Sequence, residues 1–571
     1  MAFYELHQAV KKGDLHRVSD LLNESPLKID INQGDHKGWT PLMYAVARPE
    51  ARIEILHALI RHGANIDQTS LSFALSDLQK LSVLVEAGAD VRYEKEQGYD
   101  TLIDAACRPD VLHNPQLIEI LSLLIANGVS LRGMTAYKES SIRVLSRVGR
   151  FDAVHLLLKA GANPNDIKFT PLMEAVTFGS LAEVAALAES GADLEERDYW
   201  ERTAWLIAIQ TGDIPKAKFL LGQGSDKSAR GRCGKPPLFY AIENGHAPML
   251  RWLLEIGTDI EHTDDFGETA LKTAVECRND ESIDILLAAG ANVNQESQTG
   301  TPLGFADTRG IAMKLMEAGA DPRHLSGEGR RSILGYPSEP DQDLLEASAT
   351  EFQQGRSRRF GAQNPEIMNN PFWQGMIRAG LSAYQAGTLF GVENKFDGKY
   401  EPIWCAQRFG QSITFLPDGR IVQVAGEHED HYDPDFCIYN DVFVHDADGR
   451  ITIYGYPESV FPPTDFHTAT LIDNYVYLIG SLGYRGTRQY GEISVYRLDT
   501  TTFRIERMET SGDKPGWIYN HRAMLSRPHE IRVFGGEILS SANDNDKEVH
   551  SKNLRSFLLD IERRVWRTES K

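Results

Sequence analysis

A glycine-centred turn recurs along the first half of this chain at a nearly fixed interval. It reads HGANID from His62, AGADVR from Ala87, NGVSLR from Asn127, AGANPN from Ala160 and SGADLE from Ser190. It continues as QGSDKS from Gln223, IGTDIE from Ile256, AGANVN from Ala289 and AGADPR from Ala318. The steps Gly128 to Gly161, Gly191 to Gly224, Gly224 to Gly257 and Gly257 to Gly290 are each 33 residues. A fixed period of this length marks stacked units. No unit buries its own apolar face, so neighbours must share one continuous core.

Each unit carries a recognisable start. Thr40-Pro41-Leu42-Met43, Thr170-Pro171-Leu172-Met173 and Thr301-Pro302-Leu303 open first helices, and Arg202-Thr203-Ala204-Trp205 and Glu268-Thr269-Ala270-Leu271 are looser versions. Threonine caps the helix, and proline occupies the first turn, where its missing N–H costs nothing. A second helix follows with apolar spacing, as in Ile53, Ile55, Leu56, Leu59 and Ile60, and stops at a glycine suited to a left-handed cap. Residues 1–330 resemble the ankyrin-repeat family, with roughly nine or ten units. Departures are visible: Gly63 to Gly88 spans 25 residues, Gly88 to Gly128 spans 40, and an insertion lies near Arg108–Pro115.

The resemblance implies a protein-binding array that works through its hairpin tips and concave face. Trp39, Tyr99, Tyr199, Trp200 and Phe266 are bulky tip residues, set among Asp264, Asp265, Glu195 and Glu196. Aromatic rings bordered by carboxylates suit a groove for a basic protein partner. The alternative is that each ring packs on the next hairpin. The charge balance, 60 basic against 81 acidic residues for a net −21, fits a basic partner and disfavours a general nucleic-acid binder.

Five scattered cysteines form no CxxC pair, so neither a zinc ribbon nor a disulfide framework is indicated. No apolar signal region opens the sequence, and no run of about 18 apolar residues is present. The expectation is a cytoplasmic protein that does not engage the membrane.

The repeat signal ends near Ser326. Residues 331–400 read as a linker, with a helix formed by Phe372, Trp373, Met376, Ile377, Leu381 and Tyr384 that docks one domain on the other or, as the alternative, offers a surface to a partner.

From residue 401 the period changes to strands. RFGQSITFLPDGRIVQVAGE, DFHTATLIDNYVYLIGS and YNHRAMLSRPHEIRVFGGE are similar units, and a second strand pair follows each. Their anchors Gly426, Gly480 and Gly535 are 54 and 55 residues apart. Four strands per unit, closing on glycine, resemble kelch propeller blades. Residues 401–571 therefore read as an all-β, kelch-like partial propeller of about three blades. Three blades do not close a ring, so either a second chain or the rest of this chain covers the open side.

Taken whole, the chain resembles bacterial ankyrin proteins with a kelch-like C-terminal region. The run GEHEDHYDPDF reads as a loop. With the loops that lead into the next two units, it places His428, His431, Asp465, His467 and His521 on one face. Imidazole and carboxylate together suit a divalent metal or acid–base work, but the spacing matches no established metal motif. Hydrogen bonds that tie long loops explain the same residues. The sequence contains no P-loop, GxSxG or HExxH.

The reading is a non-enzymatic scaffold without cofactor, of the immunity or antitoxin type that bacterial ankyrin proteins include, facing a basic toxin or effector. The alternatives are an enzyme or metal-binding protein at the His/Asp face, and a secreted effector directed at a host. Oligomeric state stays open.

Overall fold

The structure is a computed structural model. It describes every residue except 1, 24–29, 49–51, 326, 338, 393–401, 431–432, 542–547 and 570–571. Two compact units divide the chain, Met1–Phe266 and Gly267–Lys571.

The first unit is a succession of antiparallel helix pairs. Pro41–Ala47 pairs with Ile53–Arg61, Pro171–Phe178 with Leu181–Glu189, Ala204–Gln210 with Ile214–Gly222, and Pro237–Glu243 with Ala247–Glu255. The threonine caps act locally: the Oγ1 atoms of Thr40, Thr170 and Thr203 accept the N–H of Met43, Met173 and Leu206 at 3.3, 3.2 and 3.4 Å. Where threonine is lacking, Asp67 and Asp100 take over, accepting from Ser70 and Ile103 at 2.8 and 2.9 Å. The 40-residue step holds the extra helix Pro109–Leu112. The recurring turn glycines all have φ between 75° and 105°. Open space surrounds the Cβ that would be added at Gly161, so backbone conformation and not crowding selects glycine there.

Neighbouring repeats are joined by buried polar groups as well as apolar ones. Lys216 Nζ, on a second helix, donates to Val176 O and Gly179 O at the end of an earlier first helix, both at 2.9 Å. Lys80 Nζ does the same to Val46 O at 3.1 Å and to Arg48 O. The last carbonyls of a helix have no partner within it and carry the negative end of its dipole, so a cation satisfies both needs. Arg202 is 1 % exposed; its guanidinium pairs with Asp198, and also donates to Ser146 O and Oγ at 2.7 Å.

The second unit begins with two more helical repeats. In the last of them the first helix is only a 3₁₀ turn, Pro302–Phe305, and Thr301 makes no side-chain cap. The β region holds three four-stranded antiparallel meanders. The first is Ser412–Phe415, Ile421–Val424, Val442–His445 and Ile451–Gly455. The second is Thr468–Ile472, Tyr475–Ile479, Val495–Asp499 and Ile505–Arg507, and the third Arg522–Arg527, Glu530–Phe534, Ser556–Asp560 and Val565–Thr568. Thr468–Ile472 lies beside the leading strand of both other meanders.

The sheets stack through their apolar faces. Val422, Val424, Val442 and Val444 of the first meet Val476, Leu478, Tyr496 and Leu498 of the second. Tyr477, Ile479 and Val495 of the second meet Ile531, Val533, Phe557 and Leu559 of the third. The far side of the first sheet is covered by the helices Ala349–Gly355, Pro371–Ala379 and Ala383–Leu389. Trp373 stacks on Trp404 there, with centroids 4.8 Å apart and planes 7° from parallel. The outward face of the third sheet carries ion pairs instead, Arg532 with Glu569 at 2.8 Å and Arg567 with Glu530 at 2.7 Å.

Outer strand edges are sealed from within the unit. Glu366–Ile367 pairs with Gly455 and Tyr454, and Asn364 mimics a strand by exchanging two hydrogen bonds with the Ile505 backbone, at 2.8 and 3.0 Å. Ser511–Gly512 runs parallel to Val565–Trp566. Sealed edges leave fewer open backbone groups for another strand.

Candidate functional site

Hydrogen bonds join most hairpin tips of the first unit to the next, by backbone groups at four junctions and by the Arg143 side chain between Lys138 O and Asp166 O. Ala136 N–H reaches Gln97 O at 2.8 Å, Tyr199 N–H reaches Ile167 O at 3.0 Å, Arg232 N–H reaches Trp200 O at 2.9 Å, and Asp265 N–H reaches Cys233 O at 3.0 Å. This ladder holds the backbone of the joined tips.

The tip residues singled out from sequence divide into packed and presented ones. Trp39 is half-buried, tilted against Tyr44 and Phe73 with centroids 4.9 and 5.0 Å away. Tyr99 is half-buried in a two-residue strand opposite Lys95. Trp200 is 8 % exposed, and its indole N–H donates to Arg143 O at 3.0 Å. Tyr199 stands edge-on to Trp200 at 5.1 Å. Asp264 is half-buried, and its Oδ1 accepts the Phe266 N–H at 2.9 Å. Phe266 is 48 % exposed. Sequence reasoning passed over Tyr137, which is 66 % exposed at the tip of the TAYKE turn. That turn precedes a helix without the Thr-Pro-Leu start, so no motif drew attention to it.

The pair Tyr199 and Trp200 is framed by cations. The guanidinium of Arg143 lies 4.0 Å from the Tyr199 ring centre, and that of Arg147 lies 5.3 Å from the Trp200 ring centre. Arg232 sits 4.7 and 4.8 Å from the two rings. Cation–π contact explains why three arginines gather around two rings.

The second candidate region is the loop face of the β unit. Loops that lead into each meander meet the loops between its second and third strands. Phe409 and Glu427 exchange backbone hydrogen bonds at 2.8 and 2.9 Å. Asp465 is fully buried, and its Oδ1 accepts from Ser481 Oγ at 3.0 Å and Gly483 N at 2.6 Å. Trp517–Tyr519 pairs with Glu537–Ser541, and Trp517 Nε1 also reaches back to Leu482 O of the preceding meander at 3.1 Å. The run expected to be a loop instead forms a hairpin, Glu427–Asp430 with Asp433–Ile438, carrying a register shift.

The candidate ligands are spread along that face, each with a structural partner. His428 Nδ1 lies 3.0 Å from Gln407 O. His467 Nε2 lies 2.8 Å from Ser412 Oγ, and His521 Nε2 lies 3.0 Å from Thr468 Oγ1. His431 lies outside the described residues. Among the described residues, no three His, Cys, Asp or Glu side chains are grouped to hold a metal ion. Burial pushes the His467 imidazole down to about 4, so it is neutral near pH 7.

One carboxyl pair stands apart. Glu427 and Asp465 feel one another's charge, and Asp465 Oδ2 is buried without a hydrogen-bond partner among the described residues. Burial first, then the Asp465 charge, pushes Glu427 up to about 7. Burial likewise raises Asp465, against the donors Gly483 and Ser481. Glu427 can hold a proton near neutrality, but Asp465 has no exposed surface through which to touch a substrate.

Among the described residues, no helix is long and apolar enough to cross a membrane. A family model described as ankyrin repeats matches residues 6–95, 142–231 and 205–297. The chain therefore carries ankyrin repeats, modules of protein–protein interaction, followed by a C-terminal β-rich region of several sheets.

Proposed function

We propose that this protein is a non-enzymatic binding scaffold that holds another protein along its ankyrin hairpin tips. The observation that carries the reading is the hydrogen-bonded row of tips, which presents Tyr137 and Phe266 to solvent. Rigidly held aromatic side chains lose little freedom on binding and are common anchors of interfaces. The ankyrin array spans residues 1–330, residues 331–400 link it to the β region, and the three meanders of 401–571 act as kelch-like blades of a partial propeller that extend the surface. Five free cysteines fit action in the reducing cytoplasm. In the finer form of this reading the protein neutralises its partner as an immunity protein does; delivery into a host as an effector is the alternative.

The test is co-purification from native cells, compared with a Tyr137→Ala/Phe266→Ala variant. A stoichiometric partner that the variant loses supports the reading. No partner, or one held equally by the variant, overturns it.

A second reading places acid–base or metal chemistry on the loop face, and the raised carboxyl of Glu427, half-buried on that face, favours it. Metal analysis after dialysis tests its metal form: protein free of stoichiometric metal ends it. The acid–base form fails if Glu427→Gln leaves every activity of the protein unchanged.

A further inference from the structure

The chain is acidic overall, yet its central hairpin tips are not. Residues 135–147, 166–169, 197–202 and 230–235 hold nine basic and four acidic residues, with Glu195 and Glu196 flanking the third stretch, against 60 and 81 in the whole chain. The tip ladder and side-chain contacts bring these segments together. Arg143 donates to Asp166 O at 2.7 Å and to Lys138 O at 2.5 Å, Arg197 donates to Arg230 O at 2.6 Å, and Arg232 donates to Tyr199 O at 2.7 Å.

Much of this charge is left available. Lys138 and Lys168 are exposed, and neither has a carboxylate partner among the described residues. Arg147 and Arg232 are 49 and 40 % exposed, and their nearest carboxylates, Glu139 and Glu201, are each 3.8 Å away. Exposed pairs this loose contribute little and exchange readily with a better partner. Backbone carbonyls and ring faces orient the guanidinium groups, as the contacts of Arg232 show, while their outer edges face solvent. Planar guanidinium groups set in this way suit bidentate carboxylate recognition.

We infer that the tips from Lys138 to Lys235 receive an acidic, extended segment of a partner protein, with its carboxylates on Lys138, Arg147, Lys168 and Arg232 and an apolar residue over Tyr137. This rests on the reading of the tips as a protein-binding surface, and it reverses the partner charge that the net charge of the chain suggests. The acidic tip at Asp264 and Asp265 lies beyond this stretch and would set one end of the bound segment by repulsion.

The test uses the full-length protein and a fluorescein-labelled peptide rich in Glu with one central Leu. Binding by anisotropy at low salt, weakening steeply as salt rises, is expected. The Arg147→Glu/Arg232→Glu variant, checked for native circular dichroism, should bind roughly tenfold more weakly. Arg563→Glu, a charge change on an exposed residue elsewhere, should bind as the parent does. Carbodiimide coupling should attach the peptide to Lys138 and Lys168. No binding at low salt, equal binding by the charge-reversed variant, or coupling elsewhere overturns the inference. Tighter binding of a single-stranded RNA oligonucleotide of equal charge at the same lysines overturns it too. A native partner retained by the charge-reversed variant but lost from Tyr137→Ala/Phe266→Ala would sink this inference and leave the scaffold reading standing.

Discussion

His467 reaches from the start of the second meander to Ser412 in the first, with Nε2 2.8 Å from Oγ, and both side chains are buried. His521 repeats the reach one meander later, to Thr468 at 3.0 Å. The backbone repeats as well: Phe466 N–H donates to Gly410 O and Asn520 N–H to Phe466 O, both at 2.9 Å. These latches tie successive sheets together near their leading strands. Replacing His467 by Ala leaves the Ser412 hydroxyl buried without its partner, and should cost about 1–3 kcal/mol. Denaturant melts of His467→Ala, Ser412→Ala and the double variant check this. The single losses should not add, because each breaks the same bond.

Stability should fall on mild acidification. Burial pushes both His445 and His467 down to about 4 in the folded chain, against 6.5 for free imidazole. The unfolded state therefore takes up protons first, and stability is lost as pH drops from about 6.5 towards 4. Each histidine contributes a loss of about 3 kcal/mol once the drop is complete. Thermal melts across that range should show a slope that His445→Gln flattens by roughly half.

The Glu427–Asp465 pair has the opposite sign. With Glu427 raised to about 7 from an ordinary 4.5, the folded chain holds a proton that the unfolded chain releases. The pair therefore costs stability as pH rises from about 4.5 to 7. Glu427→Gln removes that cost, and should raise stability at pH 8 by about 1 kcal/mol after screening is allowed for. A shift in Tm of roughly 2–4 °C at pH 8, much reduced at pH 5, is the expected outcome.

In the helical unit, Arg202→Met should be among the most damaging single changes. It strands the carboxylate of Asp198 with almost no exposure and removes the donors to Ser146. Loss of one partner of a buried ion pair costs about 3–5 kcal/mol. Arg202→Lys should recover only part of this, since an ammonium cannot span Asp198 and Ser146 together. Circular dichroism melts of the two variants settle the order.

Much of the helical repeats was legible because their signals are local. A threonine three residues before the N–H it accepts, and a glycine where φ is positive, need no knowledge of neighbours. Thr301 shows the boundary of that logic: its Thr-Pro-Leu motif is intact, yet only a 3₁₀ turn follows. The four-strand rhythm of the β region was legible from alternation and glycine spacing. The hairpin at Glu427 was not, because acidic residues have low strand propensity and tertiary pairing with Phe409 decides the matter.

The loops and tips were read less well for the same reason. Grouping His428, His431, Asp465, His467 and His521 on one face rested on the order of strands and loops alone. The role of each described imidazole depends on a serine, threonine or carbonyl that is remote in sequence and has no motif of its own. Trp200 was indistinguishable from Phe266 as a tip aromatic, although one packs under arginines and the other faces solvent.

Lys80 and Lys216 make the helical repeats non-interchangeable. Each ammonium reaches carbonyls in the repeat before its own as well as an aspartate of its own helix start, so a repeat bearing such a lysine fits best behind a neighbour that ends its first helix with carbonyls at the right place. Excising, duplicating or reordering a unit would leave a buried ammonium with only the aspartate of its own repeat and without its carbonyl acceptors. An array keyed in this way lengthens or shortens by whole repeats less freely than a uniform solenoid, which favours a contact surface of fixed length and order.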